Sequence, residues 1–286
     1  MILSQSPEPS RPRTTGSLRV DGAQIHFEVS GQGPALVFAH GLGGNHMSWW
    51  QQVAHFERSH TCVTFAQRGF APSSVDEGQP EPARYADDLK ALLDHLNIDR
   101  AHLVGQSMGG WTLVEFCLAH APRALSLTLS ATTGTIDPGR IASLDQAEFD
   151  RWKADAAGVA ADCRAGGRHP AAGPRMAQEQ PAMHRLYQQI DEMSRHLDKE
   201  VVRSRLWAMR TRAPAELAAT GVPVLMISPD EDIVIPPLAL RALARDLPGA
   251  RCAIVERAGH SPYFERAAEF NRHLEAFLGG IEGRRA

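Results

Sequence analysis

The sequence lacks any apolar run near the roughly 18 residues that a membrane-spanning helix needs. Its opening residues, MILSQSPEPSRPRTTG, are too polar and proline-rich for a secretory leader. Neither sign of charge dominates: 30 Lys and Arg stand against 33 Asp and Glu, a formal net charge of −3. That balance gives no footing for nucleic acid or for an anionic membrane as partner. Cysteine is sparse, with four residues at 62, 117, 163 and 252 and no C-x-x-C pair. In a chain of 286 residues this speaks against a disulfide framework and for reduced, mostly buried thiols. The 13 histidines are scattered without H-E-x-x-H spacing, so no metal is expected. These absences predict a soluble, cytoplasmic protein without a nucleic-acid or membrane partner, and no pattern sets its oligomeric state.

What is present has the ordinary composition of a globular domain, 43% hydrophobic and 22% charged. Residues 1–16 read as a flexible arm. SLRV and QIHFEVS flank the turn signal DGA and predict a hairpin over 17–30. ALVFA (35–39) is a continuous apolar run, as in a strand buried on both faces. The runs at 61–66, 101–105, 125–130, 222–228 and 251–256 have the same character. Between them lie helical patterns, such as Tyr85, Leu89, Leu92, Leu93 and Leu96 on one face. A further helix follows Pro236 and Pro237, and a last one covers PYFERAAEFNRHLEAFL. Such alternation predicts an α/β fold with a mainly parallel sheet and helices on both faces. The alternation stops between 135 and 215, where Met183, Leu186, Ile190, Met193 and Leu197 recur at helical spacing. The predicted organisation is a core of 17–134 and 216–286, with a helical lid over 135–215. Methionines 176, 183, 193 and 209 would fill the seam between lid and core or form an adaptable apolar wall.

Four features fall at strand ends, where open α/β sheets bind ligands. GQSMG places Ser107 between Gly105 and Gly109 at a strand-to-helix corner, which lifts a hydroxyl above the sheet. The glycine-rich AHGLGGN can aim the Leu42 N–H at the same space, and with the Met108 N–H it would hold an oxyanion. In that loop His40 and Gly41 read as structural. AGHSPYFE puts His260 after a strand and before a helix, the place for a base that activates a serine. ISPDEDIVIPP offers Asp230, Glu231 and Asp232 as the carboxylate behind that base, and spacing does not choose among them.

These residues resemble the α/β-hydrolase fold superfamily, in its serine-nucleophile branch, whose triad runs Ser, Asp or Glu, His. The resemblance spans about residues 17–279. It implies an α/β-hydrolase fold with the lid inserted between the strands near 130 and 222. Aligning the family's G-x-x-D-x-x-x-P on Pro236 puts the acid at Asp232, with Asp230 in reserve and Asp137 a distant third. One stretch departs from the pattern. Where many relatives have D-x-R-G-x-G-x-S, this chain has AQRGFAPS, with Ala66 for the aspartate and Ala71 for the second glycine. Serine at the elbow, where dehalogenases and epoxide hydrolases of this fold carry aspartate, implies acyl transfer to water without a cofactor. The resemblance points first to carboxylesterases of small or medium substrates, then to enol-lactonases and C–C hydrolases of aromatic-ring degradation. C–C hydrolases usually have tryptophan after the histidine, where Ser261 stands here. A non-catalytic small-molecule receptor on the same fold is the reading from another class.

Overall fold

In the computed structural model, residues 13–283 are described. The continuous apolar runs form the centre of one nine-stranded sheet because only a strand covered on both faces buries every side chain it carries. Its strands are β1 (Arg13–Val20), β2 (Ala23–Ser30), β3 (Ala35–Ala39), β4 (Thr61–Phe65), β5 (Ser74–Val75), β6 (Ala101–Gln106), β7 (Ala124–Ser130), β8 (Val224–Pro229) and β9 (Arg251–Val255). They lie in the order β1-β2-β4-β3-β6-β7-β8-β9, with β5 beside β2. Every pair from β4 to β9 is parallel, and the β1–β2 hairpin joins β4 antiparallel.

Helices α1 (Trp50–Phe56), α2 (Tyr85–His95) and α3 (Met108–His120) follow the early strands. A helical insertion separates β7 from β8: α4 (Gln146–Ala165), α5 (Gly173–Glu179), α6 (Pro181–Glu192), α7 (Lys199–Ala208) and α8 (Pro214–Ala219). Then come α9 (Pro237–Asp246), α10 (Pro262–Glu265) and α11 (Ala267–Glu282). The period of two along β3 sends Val37 into a cluster with α2, α3 and α9, and Phe38 into one with α1 and α11. Two cores, one per face, therefore fix the sheet between helix layers. Among the described residues, no helix is long and apolar enough to cross a membrane.

Several expectations need correction. Residues 13–16, assigned to the arm, belong to β1, whose Arg13 to Gly16 pair with Ser30 to Phe27; residues 1–12 lie outside the described residues. Backbone pairing extends the hairpin whatever the side-chain polarity, and Arg13 adds an ion pair with Glu28. β9 is an edge strand with Arg251, Cys252 and Ile254 exposed, so one thiol of the four is not buried. The final helix is two, broken at Arg266, whose φ of −131° and ψ of 51° are not helical. The 183–197 periodicity overruns its helix, which stops at Glu192 and buries His184, Tyr187 and Ile190.

Candidate active site

The turn from β6 to α3 holds Ser107 at φ 49° and ψ −119°, a region that costs a non-glycine residue about 1–3 kcal/mol. The neighbours hold it there. Ser107 N–H donates to the Ser130 carbonyl at 3.0 Å, and the Ser107 carbonyl accepts from Gly110 N–H at 2.8 Å. A Cβ on Gly109 would sit 2.1 Å from the Ala39 carbonyl oxygen, and one on Gly105 would sit 2.8 Å from the Gly109 backbone. Both glycines are thus demanded by contact between helix and sheet.

Asp232 lies in the loop after β8, and His260 between β9 and α10. One Asp232 oxygen accepts from the N–H groups of Val234 (2.7 Å) and Ile235 (3.0 Å). The other lies 2.8 Å from His260 Nδ1, and both side chains are buried. With an ionised Asp232, Nδ1 carries the proton and Nε2 is the imidazole's free base. The competing acids are engaged differently. Asp230 is exposed and accepts from Ala258 N–H, Glu231 pairs with Arg175, and Asp137 caps its own turn at Gly139.

The loop around His260 is clamped by groups that sequence reasoning missed. Gln106 Nε2 donates to the His260 carbonyl at 2.8 Å. Glu265 accepts from Gly259 N–H (2.8 Å) and Ser261 N–H (3.1 Å), on either side of the imidazole. Burial pushes the Glu265 carboxyl up to about 8, against the two N–H bonds and with the Asp232 charge adding to the rise. Ser261 Oγ donates to Ala171 of the insertion at 2.7 Å. A readable signal existed for Gln106, which stands inside the quoted pentapeptide. Glu265 carried none, because its role depends on a helix doubling back on the preceding loop.

Leu42 and Met108 border the same cavity as Ser107. Met108 opens α3, so its N–H belongs to the first turn, which has no intrahelical acceptor. Gly41 comes so close that an added Cβ would meet Gln106 Oε1 at 2.1 Å and Ser107 Cβ at 3.2 Å. His40 braces this loop from below. Its Nδ1–H donates to the Gly41 carbonyl (2.8 Å), and Nε2 accepts from Gln67 N–H (2.9 Å). Gln67 Nε2 donates back to the His40 carbonyl at 2.7 Å, and the Thr112 hydroxyl donates to Gln67 Oε1. Complete burial pushes His40 down to about 3, so the ring is a neutral brace. The loop that departs from the family pattern is therefore still joined to this one, through Gln67. Arg68 forms a buried bidentate pair with Asp88, and Ser73 Oγ donates to the Ala66 carbonyl at 2.7 Å.

Ser107 and His260 open on a cavity of about 410 Å³ between the strand ends and the insertion. Its methionine is Met108; Met176, Met183 and Met209 pack into the two cores and Met193 is exposed. Trp111 and Trp207 line it, whereas Trp49 is core and Trp50 faces solvent. Among the described residues one cluster has the makings of a metal site, His26, Glu28 and His46, away from this cavity. Both Glu28 oxygens are already bonded to the Arg13 guanidinium. His26 and His46 come together from a strand and a turn, which linear spacing does not show.

The parallel sheet, with a strained serine turn and a carboxylate-bound histidine lining one cavity at its strand ends, has the architecture of an α/β-hydrolase fold. The alpha/beta hydrolase fold family model matches residues 34–267, and the chain belongs to that family. Among relatives, a Variovorax paradoxus protein provisionally named carbamate hydrolase RutD is 29% identical over 90% of this chain and 97% of its own. A 3-oxoadipate enol-lactonase of Acinetobacter baylyi is 33% identical over 40% of this chain and 44% of its own. The solved enol-lactonase of Burkholderia xenovorans LB400 superposes with a TM-score of 0.72 at 26% identity, covering 92% of this chain and 99% of that one.

Proposed function

We propose that the protein is a serine hydrolase that cleaves carboxylic esters of small or medium size through an acyl-enzyme. Ser107 is the nucleophile, His260 the general base and Asp232 the anion that orients it. The Ser107 Oγ attacks the carbonyl carbon as its proton passes to His260 Nε2. The N–H groups of Leu42 and Met108 receive the tetrahedral oxyanion, each worth about 2.7–4 kcal/mol in such sites. Collapse expels the alcohol, which takes the proton from His260. Water then attacks the acyl carbon, gives a proton to the same nitrogen and releases the acid, restoring Ser107. The helical insertion acts as the lid of this pocket.

The observation that carries this reading is the 2.8 Å contact of Asp232 with His260 Nδ1, which leaves Nε2 as the base in a cavity shared with a strained serine. Asp230 and Glu231, equal candidates by spacing, make no such contact among the described hydrogen bonds. A fluorophosphonate probe tests it. Mass added at Ser107 in the wild type and absent in Ser107→Ala and His260→Ala supports the enzyme. A wild type that stays unlabelled at neutral and mildly alkaline pH favours a receptor. Enol-lactone hydrolysis is the second reading, favoured by the Burkholderia and Acinetobacter relatives. The same residues would open a lactone by the same steps.

A further inference from the structure

The cavity wall contributed by the insertion is not uniform. Along α7, Lys199 and Arg203 are four residues apart and so share a face, while Leu206 and Trp207 come a turn later. All four line the cavity, as do Arg164 of α4 and His169. The apolar end of α7 is anchored beside the serine's helix, since Trp111 Nε1 donates to the Leu206 carbonyl at 2.9 Å. The basic end faces the oxyanion loop: Lys199 Nζ lies 2.5 Å from Asp191 Oδ1, and a Cβ on Gly43 would meet that same oxygen at 3.0 Å.

Among the described residues Asp191 is the one carboxylate that lines the cavity, and it is matched by Lys199 and by His169 at 3.6 Å. Arg164 and Arg203 therefore stand in excess. Arg203 pairs with Glu200, whose side chain is 80% exposed, so that pair is water-screened and weakly held. A guanidinium at the rim of a largely apolar pocket matches a carboxylate in both charge and fork geometry.

We propose that this pocket selects substrates that carry a second, anionic group, a carboxylate held by Arg203 and Arg164 while the apolar body packs on Trp111 and Trp207. This rests on the serine-hydrolase reading for the chemistry, but not for the binding of the anion. The substrate is then a hemiester of a dicarboxylic acid rather than a neutral ester.

The test compares 4-nitrophenyl hydrogen glutarate with 4-nitrophenyl butyrate. The wild type should prefer the anionic ester in kcat/KM by roughly tenfold or more, a preference that shrinks in high salt. Arg203→Gln and Arg164→Gln should each lower the ratio of the two kcat/KM values by roughly three- to tenfold, with Arg203→Lys retaining part of it. Glutarate binding to Ser107→Ala, followed by calorimetry, reads the anion site without turnover and should vanish in the variant that also lacks both arginines. Equal use of the two esters, or glutarate binding indifferent to both arginines, overturns the proposal. Glutarate bound through the arginines by a protein whose Ser107 takes no fluorophosphonate keeps the anion site and discards the hydrolase reading instead.

Discussion

The cavity has two walls of opposite construction. The wall at the strand ends is built from backbone. It has a serine at φ 49°, glycines that touch neighbouring carbonyls, and a carboxylate held by two N–H groups. The wall from the insertion is built from side chains on helices, with half-exposed tryptophan and arginine and ion pairs at its rim. A group fixed by backbone keeps its geometry through changes in surrounding side chains, which reacting atoms require. A group carried on a helix surface can be exchanged without disturbing the sheet. In the proposed mechanism the first wall would fix the reaction and the second would adjust what enters.

On that division the largest losses are expected at the strand-end wall. Ser107→Ala should cut turnover roughly a millionfold, with the fold intact by circular dichroism and little change in thermal midpoint. Asp232→Asn should lower kcat by about ten thousandfold, because the imidazole loses the anion that sets its tautomer. Asp230→Asn is the paired control, and a drop of similar size there would move the acid to the neighbouring position. Gly109→Ala forces a methyl to within 2.1 Å of the Ala39 oxygen and should cost about 1–3 kcal/mol, read as a lower denaturation midpoint.

The same division explains what the sequence made legible. Ser107 and His260 announce themselves because a glycine turn or a strand end shows in the local pattern. The parallel strands are legible for a similar reason, since burial on both faces writes a continuous apolar run. β9 has such a run and is nonetheless an edge, because position in the sheet depends on chain order rather than on any one strand. Three adjacent acids at 230–232 are indistinguishable until the loop folds and gives Asp232 its two N–H donors. Gln67 and Glu265 act across 27 residues or through a helix that doubles back, and no spacing encodes that. Residue type does not separate a pocket tryptophan from a core one, and the placement of α7 against α3 is what sets Trp111 and Trp207 at the cavity.

Two stability measurements sharpen the contrast further. Ser107→Gly releases the positive φ, worth about 1–3 kcal/mol, and gives back roughly 0.5–1 kcal/mol in unfolded-chain entropy. The variant should be inactive and melt a few degrees higher, a sign that the turn stores strain for the reaction. Glu265 tests the clamp around the base. Its folded carboxyl is raised to about 8 from an ordinary 4.5, so the folded state binds more protons between those values. Its contribution is complete below about pH 4.5 and is lost as pH rises through 8. Denaturant midpoints measured at pH 5 and pH 8 should therefore fall with pH in the wild type, and the fall should be smaller in Glu265→Gln. An unchanged slope would mean that the carboxyl is ionised throughout.

The smallest effect is expected at the side-chain wall. Trp207 is 46% exposed, with the Arg210 guanidinium 3.9 Å above its ring and Trp111 edge-on at 6.2 Å. Removing the indole forfeits a cation–π contact worth about 0.5–1 kcal/mol at an exposed site, together with part of the apolar surface offered to a substrate. Trp207→Ala should raise KM for an aryl ester a few-fold, in line with a loss of that size, while kcat moves less than KM does. The comparison of the two walls rests on that ratio. A Trp207→Ala enzyme whose kcat collapsed as in Asp232→Asn would show that the insertion holds the reacting atoms too.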